Sequence, residues 1–293
     1  TQMAIERELD TIAIMESGQG QMNAIANDAQ TWQLLRQELS LTEGQRQAIE
    51  MTATTTDQFI AWQGVAGAGK TYSLKLVAQL AREQGYEVTG YAPSAQAANV
   101  LSEEANIESN TVARLLHSDR NRDSKDGSQN QTIWIVDEAG LLSAKDAHQL
   151  LKKAQSQNAR VILVGDIRQL SAVEAGNPFK SLQNADIQTA YLEESRRQKT
   201  DALRAAVVCL NAGQQREGLD RLDKAGMVNE VVDGQERHRC IVNDYMRLSP
   251  EARRKTLILS GTNVERLELT ADIRAALQAE GSLGADVFMM RSL

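Results

Sequence analysis

The stretch Gly64-Val65-Ala66-Gly67-Ala68-Gly69-Lys70-Thr71 decides how the rest of the chain is interpreted. It fits the phosphate-loop pattern, in which a glycine and four further residues precede Gly-Lys-Thr. The apolar residues 59–63 before it predict a buried strand, and the apolar spacing over residues 70–83 after it predicts a helix that ends near Gly85. Strand, glycine loop and helix therefore follow in the order that phosphate binding requires.

The residue types of this stretch suit a bound nucleotide. Glycines let backbone N–H groups turn toward a phosphate, and the start of the following helix adds partial positive charge. Lys70 is predicted to reach the β- and γ-phosphates, and the Thr71 hydroxyl to ligate Mg²⁺. The alternative is a glycine-rich turn that binds nothing, which the flanking strand and helix disfavour. The predicted cofactor-binding residues of the loop are Gly64, Gly67, Ala68, Gly69, Lys70 and Thr71.

Composition favours a soluble globular protein that stays in the cytoplasm. The chain has 293 residues, of which 42% are hydrophobic and 24% charged. No apolar run approaches the roughly 18 residues needed to cross a bilayer, and the first residues do not resemble a signal peptide. We therefore expect no membrane insertion. Because the sequence does not begin with methionine, we interpret it as a piece of a longer protein.

Charge and metal-ligating residues exclude several classes of function. The net charge of −7 argues against a protein that coats nucleic acid, although it allows a narrow basic groove. Cys209 and Cys240 lie far apart, and the three histidines are scattered. A metal site of cysteines and histidines, or a nucleophile activated by histidine, is therefore disfavoured.

Short apolar strands alternate with helices after the loop. Strands are predicted at residues 87–92, 133–136 and 161–164, with a helix over 145–157. This alternation is typical of an α/β fold in which helices cover both faces of a parallel sheet. A weaker repetition of the pattern follows from residue 189. It predicts helices over 200–212, 234–247 and 263–278 and strands at 227–232 and 256–260.

Polar residues stand where two of these strands end. Asp137 and Glu138 follow the strand 133–136, which favours Asp137 as a ligand of the metal and Glu138 as the base for an attacking water. Gln169 follows the strand 161–164 and is a candidate sensor of the γ-phosphate. The alternative is that the acidic pair belongs to an ordinary turn.

Two further predictions concern residues outside the loop. Thr42 is a plausible N-cap with Gln45 at the third helical position, as in a capping box. The functional alternative is that the Gln45 amide reads an adenine edge. Arg197 is a candidate for the arginine that stabilises charge on a transferring phosphoryl group, with Arg196 as the competing choice and a plain surface pair as the alternative to both.

Taken in order, these motifs resemble those of superfamily-one nucleic-acid helicases, in the RecD-like branch that moves 5′ to 3′. The chain is most similar to the helicase part of conjugative-plasmid relaxase–helicases of the MobF type, over about residues 40 to 280. The segments that carry the resemblance are Leu41–Gln45, Gly64–Thr71, Ala92–Ala98, Asp137–Gly140, Gly165–Gly176 and Leu192–Gln198.

The resemblance implies a P-loop NTPase fold and an ATP-driven DNA motor. The implied organisation is a helical N-terminal segment over 1–50, a RecA-like motor domain over 51–193 and the start of a second RecA-like domain over 194–293. The implied cofactors are ATP and Mg²⁺. The implied catalytic residues are Lys70, Asp137, Glu138, Gln169 and Arg197, with Gln45 on the adenine, Thr71 and Asp137 on the metal, and Pro93, Ser94 and Thr111 along single-stranded DNA.

The resemblance also implies partners and leaves alternatives open. The partners are single-stranded DNA, a type IV secretion coupling protein and other relaxosome proteins. One alternative is a helicase-like module that binds single-stranded DNA, or is recognised by a secretion machine, without ATPase activity. Another is a different phosphate-loop protein, such as a kinase or transporter ATPase, which Gln45 and the segment Gly165–Leu170 disfavour. Motifs expected later in the second motor domain are absent, so this piece alone should not unwind DNA.

Overall fold

The computed structural model describes residues 2–118, 131–169, 176–195 and 200–284. Its strands are β1 Phe59–Gly64, β2 Glu87–Ala92, β3 Ser109–Thr111, β4 Thr132–Val136, β5 Arg160–Gly165 and β6 Thr189–Leu192. Its helices up to β6 are α1 Gln2–Ser17, α2 Asp28–Gln37, α3 Glu43–Thr54, α4 Lys70–Glu83, α5 Ala95–Ala105, α6 Val112–His117, α7 Ala144–Ser156 and α8 Pro178–Asn184, with a 3₁₀ turn at Ala139–Leu141. The helices after β6 are α9 Asp201–Asn211, α10 Gln215–Lys224, α11 Gly234–Arg247, α12 Pro250–Arg254 and α13 Asn263–Glu280.

The six strands form one parallel sheet in the order β3-β2-β4-β5-β1-β6. Every residue of β1 and of β5 is buried, as expected for central strands of a sheet that helices cover on both faces. Successive residues of β1 point to opposite faces, so that Ile60 and Trp62 enter one core and Phe59 and Ala61 enter the other. The predicted α/β class with a parallel sheet is therefore confirmed.

The helices before β1 belong to the same compact unit as the sheet. Helix α3 contacts α4 and β6, and α1 contacts α7 on the other side of the sheet. The capping box predicted at the start of α3 is present, since Thr42 Oγ1 accepts from Gln45 N and Gln45 Oε1 accepts from Thr42 N. This cap holds the Gln45 side chain against the start of α3.

The chain divides into two compact units, residues 1–218 and residues 219–293. In the described part of the second unit, helices α11 and α13 contact each other. Arg253 joins α12 to α13 through two hydrogen bonds to the Glu280 carboxylate, at 2.6 and 3.0 Å. The domain limits predicted from the sequence, at 50/51 and 193/194, remain predictions.

The strands predicted at 227–232 and 256–260 are wrong, because neither segment pairs with a strand in the described residues. Their apolar side chains are largely exposed, with Val232, Leu257 and Leu259 at 101%, 80% and 82% exposure. β-branched residues favour a strand only where a neighbouring strand takes up the backbone hydrogen bonds.

No helix in the described ranges combines the length and the apolar character needed to cross a membrane.

Candidate active site

The carboxyl ends of β1, β5 and β4 lie side by side and bring three predicted motifs together. The phosphate loop follows β1, the turn at residues 166–169 follows β5, and Asp137 with Glu138 follows β4. Ligands of open parallel sheets bind at this edge, where the strands end. The structure therefore brings the predicted nucleotide-site residues together, with the exception of Arg196 and Arg197. Those two arginines lie outside the residues that the structure describes.

The phosphate loop adopts a conformation that needs its glycines. Gly67 and Gly69 have φ values of 79° and 73°, in the left-handed region that glycine occupies without steric cost. A Cβ on Gly69 would lie 2.2 Å from Gln45 Nε2. Gly67 and Gly69 are therefore needed for their positive φ, and Gly69 also because the Gln45 side chain leaves no room for a Cβ.

The start of α4 lacks a side-chain cap. Most other helices of the described chain begin at a Ser, Thr, Asn or Asp whose side chain accepts from a first-turn N–H. At α4 the N-cap is Gly69, and no side chain accepts there. Uncapped N–H groups with the positive end of the helix dipole form an anion site. The loop therefore fits a phosphate group.

The Lys70 side chain is held by a backbone carbonyl at the start of the phosphate loop. Its Nζ donates to the Gly64 carbonyl at 2.7 Å, and the side chain is half-buried. Its positive charge also lowers the pKa of Asp137, which shows that the two charges are close enough to interact. Thr71 is the next residue of α4 and is half-buried too. Lys70, Thr71 and Asp137 are thus suited to share a phosphate and a cation.

Asp137 is an unfavourable place for a negative charge in the ligand-free protein. Loss of hydration around its carboxyl group raises the pKa to about 6, and the nearby Glu138 and Glu104 carboxylates add to this. A hydrogen bond from Glu138 N to Asp137 Oδ1, at 2.9 Å, opposes the shift. A bound cation would compensate the charge, so the donor set fits a hard metal ion such as Mg²⁺.

Glu138 has a backbone conformation that is rare for its residue type. Its φ and ψ are 52° and 39°, and it begins the 3₁₀ turn. Such strain concentrates at functional sites, where surrounding structure holds it in place. The turn is held against β5, because a Cβ on Gly165 would lie 2.9 Å from Gly140 N. The packing of the turn against β5 thus holds the backbone at Glu138 in this conformation.

The turn after β5 is organised by Asp166. Its side chain is buried and accepts from Arg168 N at 3.0 Å and from Gln169 Nε2 at 3.3 Å. The Gln169 backbone N–H also donates to the Asp166 carbonyl at 3.2 Å. Gln169 itself is exposed, and its bond to Asp166 leaves the amide oxygen and one Nε2 hydrogen for a ligand at the strand ends.

Two residues of the site were missed in the sequence. Gln63, buried at the end of β1, donates from Nε2 to Asp166 Oδ1 at 2.8 Å. Ser195 Oγ donates to the Ala66 carbonyl in the loop at 2.7 Å. The signal for Gln63 was present, since a glutamine at the end of an otherwise apolar strand needs a buried partner. No local pattern signals Ser195.

Gln45 is buried and its amide is already engaged. Oε1 accepts from Thr42 N at 2.8 Å, and Nε2 donates to the Ala68 carbonyl at 2.9 Å. One N–H and one lone pair of the amide are left by these two bonds. The structure thus joins the cap of α3 to the phosphate loop through Gln45, and adenine recognition by this residue stays a prediction.

The residues predicted to line DNA lie farther along the same sheet edge. Ala92 and Thr111 are paired in β2 and β3, so Pro93, Ser94 and Thr111 come together at the ends of these strands. Ser94 Oγ and Thr111 Oγ1 each cap a helix by accepting from an N–H at 3.1 Å. Their role in DNA binding stays a prediction.

Comparison with known proteins identifies one matching family and several relatives. The family described as AAA domain matches residues 40–233. Conjugal transfer protein TraA of Agrobacterium fabrum is 32% identical over 249 residues, which cover 83% of this chain and 22% of that protein. Multifunctional conjugation protein TraI of Escherichia coli is 26% identical over 296 residues, covering 85% of this chain and 17% of that protein. ATP-dependent RecD2 DNA helicase of Deinococcus radiodurans is 35% identical over 148 residues, covering 50% and 20%.

The chain spans about a fifth of the length of each of these relatives. The predicted resemblance to RecD-like helicases and to proteins of conjugative transfer is confirmed by the matches. The family match, residues 40–233, contains the phosphate loop, both strand-end motifs and the segments predicted to line DNA. Because that match extends over more than half of the chain, the chain belongs to the AAA domain family.

Proposed function

We propose that this chain is the motor part of an ATP-dependent DNA helicase that acts in conjugative DNA transfer and moves 5′ to 3′ on single-stranded DNA. The observation that carries the proposal is the convergence of the phosphate loop, Asp137 with Glu138, and Gln169 at the carboxyl ends of three adjacent strands. The names of the relatives support a role in conjugative transfer and in DNA unwinding, and the phosphate-loop fold supports the use of ATP.

The phosphate loop would bind the nucleotide through its backbone and Lys70. The uncapped N–H groups at the start of α4 would donate to the phosphates, and Lys70 would exchange its bond to the Gly64 carbonyl for a phosphate oxygen. Gln45, which contacts the loop at Ala68, would read the adenine edge with the N–H and lone pair left over. Thr71 and Asp137 would hold the Mg²⁺ ion.

Glu138 would orient the attacking water and take its proton. The left-handed backbone conformation at Glu138 follows directly after Asp137, so the proposed base would lie next to the metal ligand. Bound ATP with Mg²⁺ supplies the phosphoryl group whose transfer to water drives movement. Gln169, exposed beside Asp166, would hydrogen-bond to the γ-phosphate, and Arg197 would stabilise charge on it.

DNA would bind at the other end of the same sheet edge. Strands β1 and β2 are separated by β5 and β4, a distance of about 14 Å at the usual strand spacing. Pro93, Ser94 and Thr111 would contact the DNA backbone there. Glu138 follows β4, which lies between β2 and β5, and would therefore lie between the bound nucleotide and the DNA.

The partners follow from the same proposal. Single-stranded DNA would be the track, and a type IV secretion coupling protein and other relaxosome proteins would be the assembly in which the motor works. The proposal places this activity in the cytoplasm, where ATP and the DNA to be transferred are available.

The test is ATP hydrolysis by the full-length protein with and without single-stranded DNA. We expect strong stimulation by DNA, followed by displacement of a strand from a duplex with a 5′ tail and little from one with a 3′ tail. The Lys70→Ala variant is the control for contaminating ATPases. Hydrolysis indifferent to DNA would indicate another phosphate-loop class, and DNA binding without hydrolysis would indicate a holding or recognition module.

A further inference from the structure

One buried side chain joins the phosphate loop to the turn that carries Gln169. Gln63 is 6% exposed and stands next to Gly64, whose carbonyl holds Lys70 at 2.7 Å. Its side chain leaves β1 toward β5 and reaches the turn at residues 166–169. Gln63 lies just outside the minimal phosphate-loop motif, so that motif assigns it no role.

The contacts of the Gln63 amide account for both of its polar atoms. Nε2 donates to Asp166 Oδ1 at 2.8 Å. Oε1 accepts from Ile167 N at 3.1 Å and from Gln183 Nε2 at 3.3 Å. Gln63 therefore holds the turn at both a side chain and a backbone N–H, and it is itself held by α8.

The turn at residues 166–169 holds the Gln169 side chain through Asp166. Asp166 accepts from Gln63 on Oδ1 and from Gln169 on Oδ2, so one carboxylate connects the two glutamines. Arg168 N donates to Oδ1 as well, which leaves the carboxylate well satisfied although it is buried. An Asp166 carboxylate engaged in this way holds Gln63, Arg168 N and Gln169 in place relative to one another.

We propose that Gln63 is a positioning residue that sets the geometry of Gln169 relative to Lys70, acting through Asp166 and the Ile167 backbone; this rests on the proposed function. A change in the phosphate loop is then passed to the β5 turn by one amide. Loss of Gln63 lowers the rate of the chemical step, because Gln169 is misplaced, while nucleotide affinity through the loop backbone is largely kept.

The chain provides a matched control at the opposite end of the same strand. Gln58, 4% exposed, precedes β1 and donates from Nε2 to the carbonyls of Ala154 and Ala159 at 3.2 and 3.0 Å. Gln63→Met and Gln58→Met each remove one buried amide of equal size. Both lose stability, whereas only Gln63 lies at the ligand edge of the sheet.

The first readout is amide hydrogen exchange in the nucleotide-free full-length protein. Gln63→Met should speed amide exchange at Ile167 and Arg168 by on the order of 10-fold or more. Ile167 N loses its acceptor, Gln63 Oε1, and Arg168 N keeps an acceptor, Asp166 Oδ1, that Gln63 no longer holds in place. Gln58→Met should leave these two amides unchanged. Unchanged exchange in Gln63→Met would overturn the proposed route through the turn.

The second readout is steady-state hydrolysis with DNA present. Gln63→Met should lower kcat by on the order of 10- to 100-fold with KM for ATP changed less than about threefold, and Gln58→Met should keep wild-type kcat. Equal kcat in the two variants would overturn the inference, whereas a wild-type protein without DNA-stimulated hydrolysis would instead overturn the proposed function. If Gln63→Met does not fold, Gln63→Asn, whose shorter amide cannot reach both Asp166 and Ile167, is compared with Gln58→Asn in the same way.

Discussion

The partly buried carboxyl of Asp137 gives a quantitative prediction about stability. Its pKa in the folded protein is about 6, against 3.8 for an unperturbed aspartate. Because the folded state binds this proton more tightly than the unfolded state, stability falls as the pH rises from 3.8 to 6 and stays lowered above pH 6. The shift of about 2 pKa units corresponds to about 3 kcal/mol. This is an upper limit, since the residue is partly exposed.

Asp137→Asn should therefore stabilise the metal-free, nucleotide-free protein at neutral pH. The amide keeps an oxygen for Glu138 N and carries no charge to desolvate. For the unit of residues 1–218, up to about 3 kcal/mol corresponds to a rise in melting temperature of up to about 6–12 °C. Calorimetry at pH 8 with a chelator measures it, and at pH 5 the gain should fall to about half.

The control is Asp186→Asn, which removes the same charge from an exposed position of the same unit. It should change the melting temperature by little at either pH. If Asp137→Asn matched this control, or destabilised the protein at pH 8, the Asp137 charge would not be disfavoured by its surroundings. Mg²⁺ with nucleotide should stabilise the wild type more than Asp137→Asn, reversing the order of the two proteins.

Four further predictions follow from the same geometry. Lys70→Ala should lower kcat on the order of 100-fold or more while DNA affinity changes only a few-fold, and unchanged turnover would contradict the role of the loop. Glu138→Gln should retain bound ATP after mixing, and release of product at the wild-type rate in a single-turnover assay would exclude it as the base. Gly69→Ala should abolish nucleotide binding, whereas Gly85→Ala, with a similar φ of +83° and no neighbour within 4 Å, should cost only stability; equal binding by both would mean that the 2.2 Å approach to Gln45 is unimportant. A hydrogen bond from Arg253 lowers the pKa of Glu280 to about 2. This pair therefore contributes stability that is present above about pH 4.5 and is lost as the pH falls toward 2. In Glu280→Gln, the stability of α12 and α13 should depend less on pH in that range.

The sheet and the strand-end motifs could be predicted because they depend on local sequence. Buried parallel strands appear as short apolar runs, and the predicted limits 87–92 match β2 residue for residue. The phosphate loop, Asp137 and Gln169 are polar or glycine residues at fixed places after such runs. The chain order of strands, however, does not give their order in the sheet, β3-β2-β4-β5-β1-β6.

The parts that could not be predicted depend on residues far apart in the chain. The bond between Gln63 and Asp166 joins positions 103 residues apart, and that between Ser195 and Ala66 joins positions 129 apart. The strands predicted at 227–232 and 256–260 failed for a related reason, because a β-prone segment forms a strand only beside a partner. Gln45 shows a third limit, since a capping box and a base-reading amide have the same sequence pattern.

The bond between Lys70 and the Gly64 carbonyl has a consequence for how affinity is interpreted. In its absence the lysine would sample many rotamers, and ordering it would reduce the free energy gained on association. Here the ammonium already sits over the loop, so an incoming phosphate displaces a carbonyl and does not have to recruit a mobile side chain. Affinity for a phosphate then reports the exchange of one hydrogen-bond acceptor of Lys70 for another.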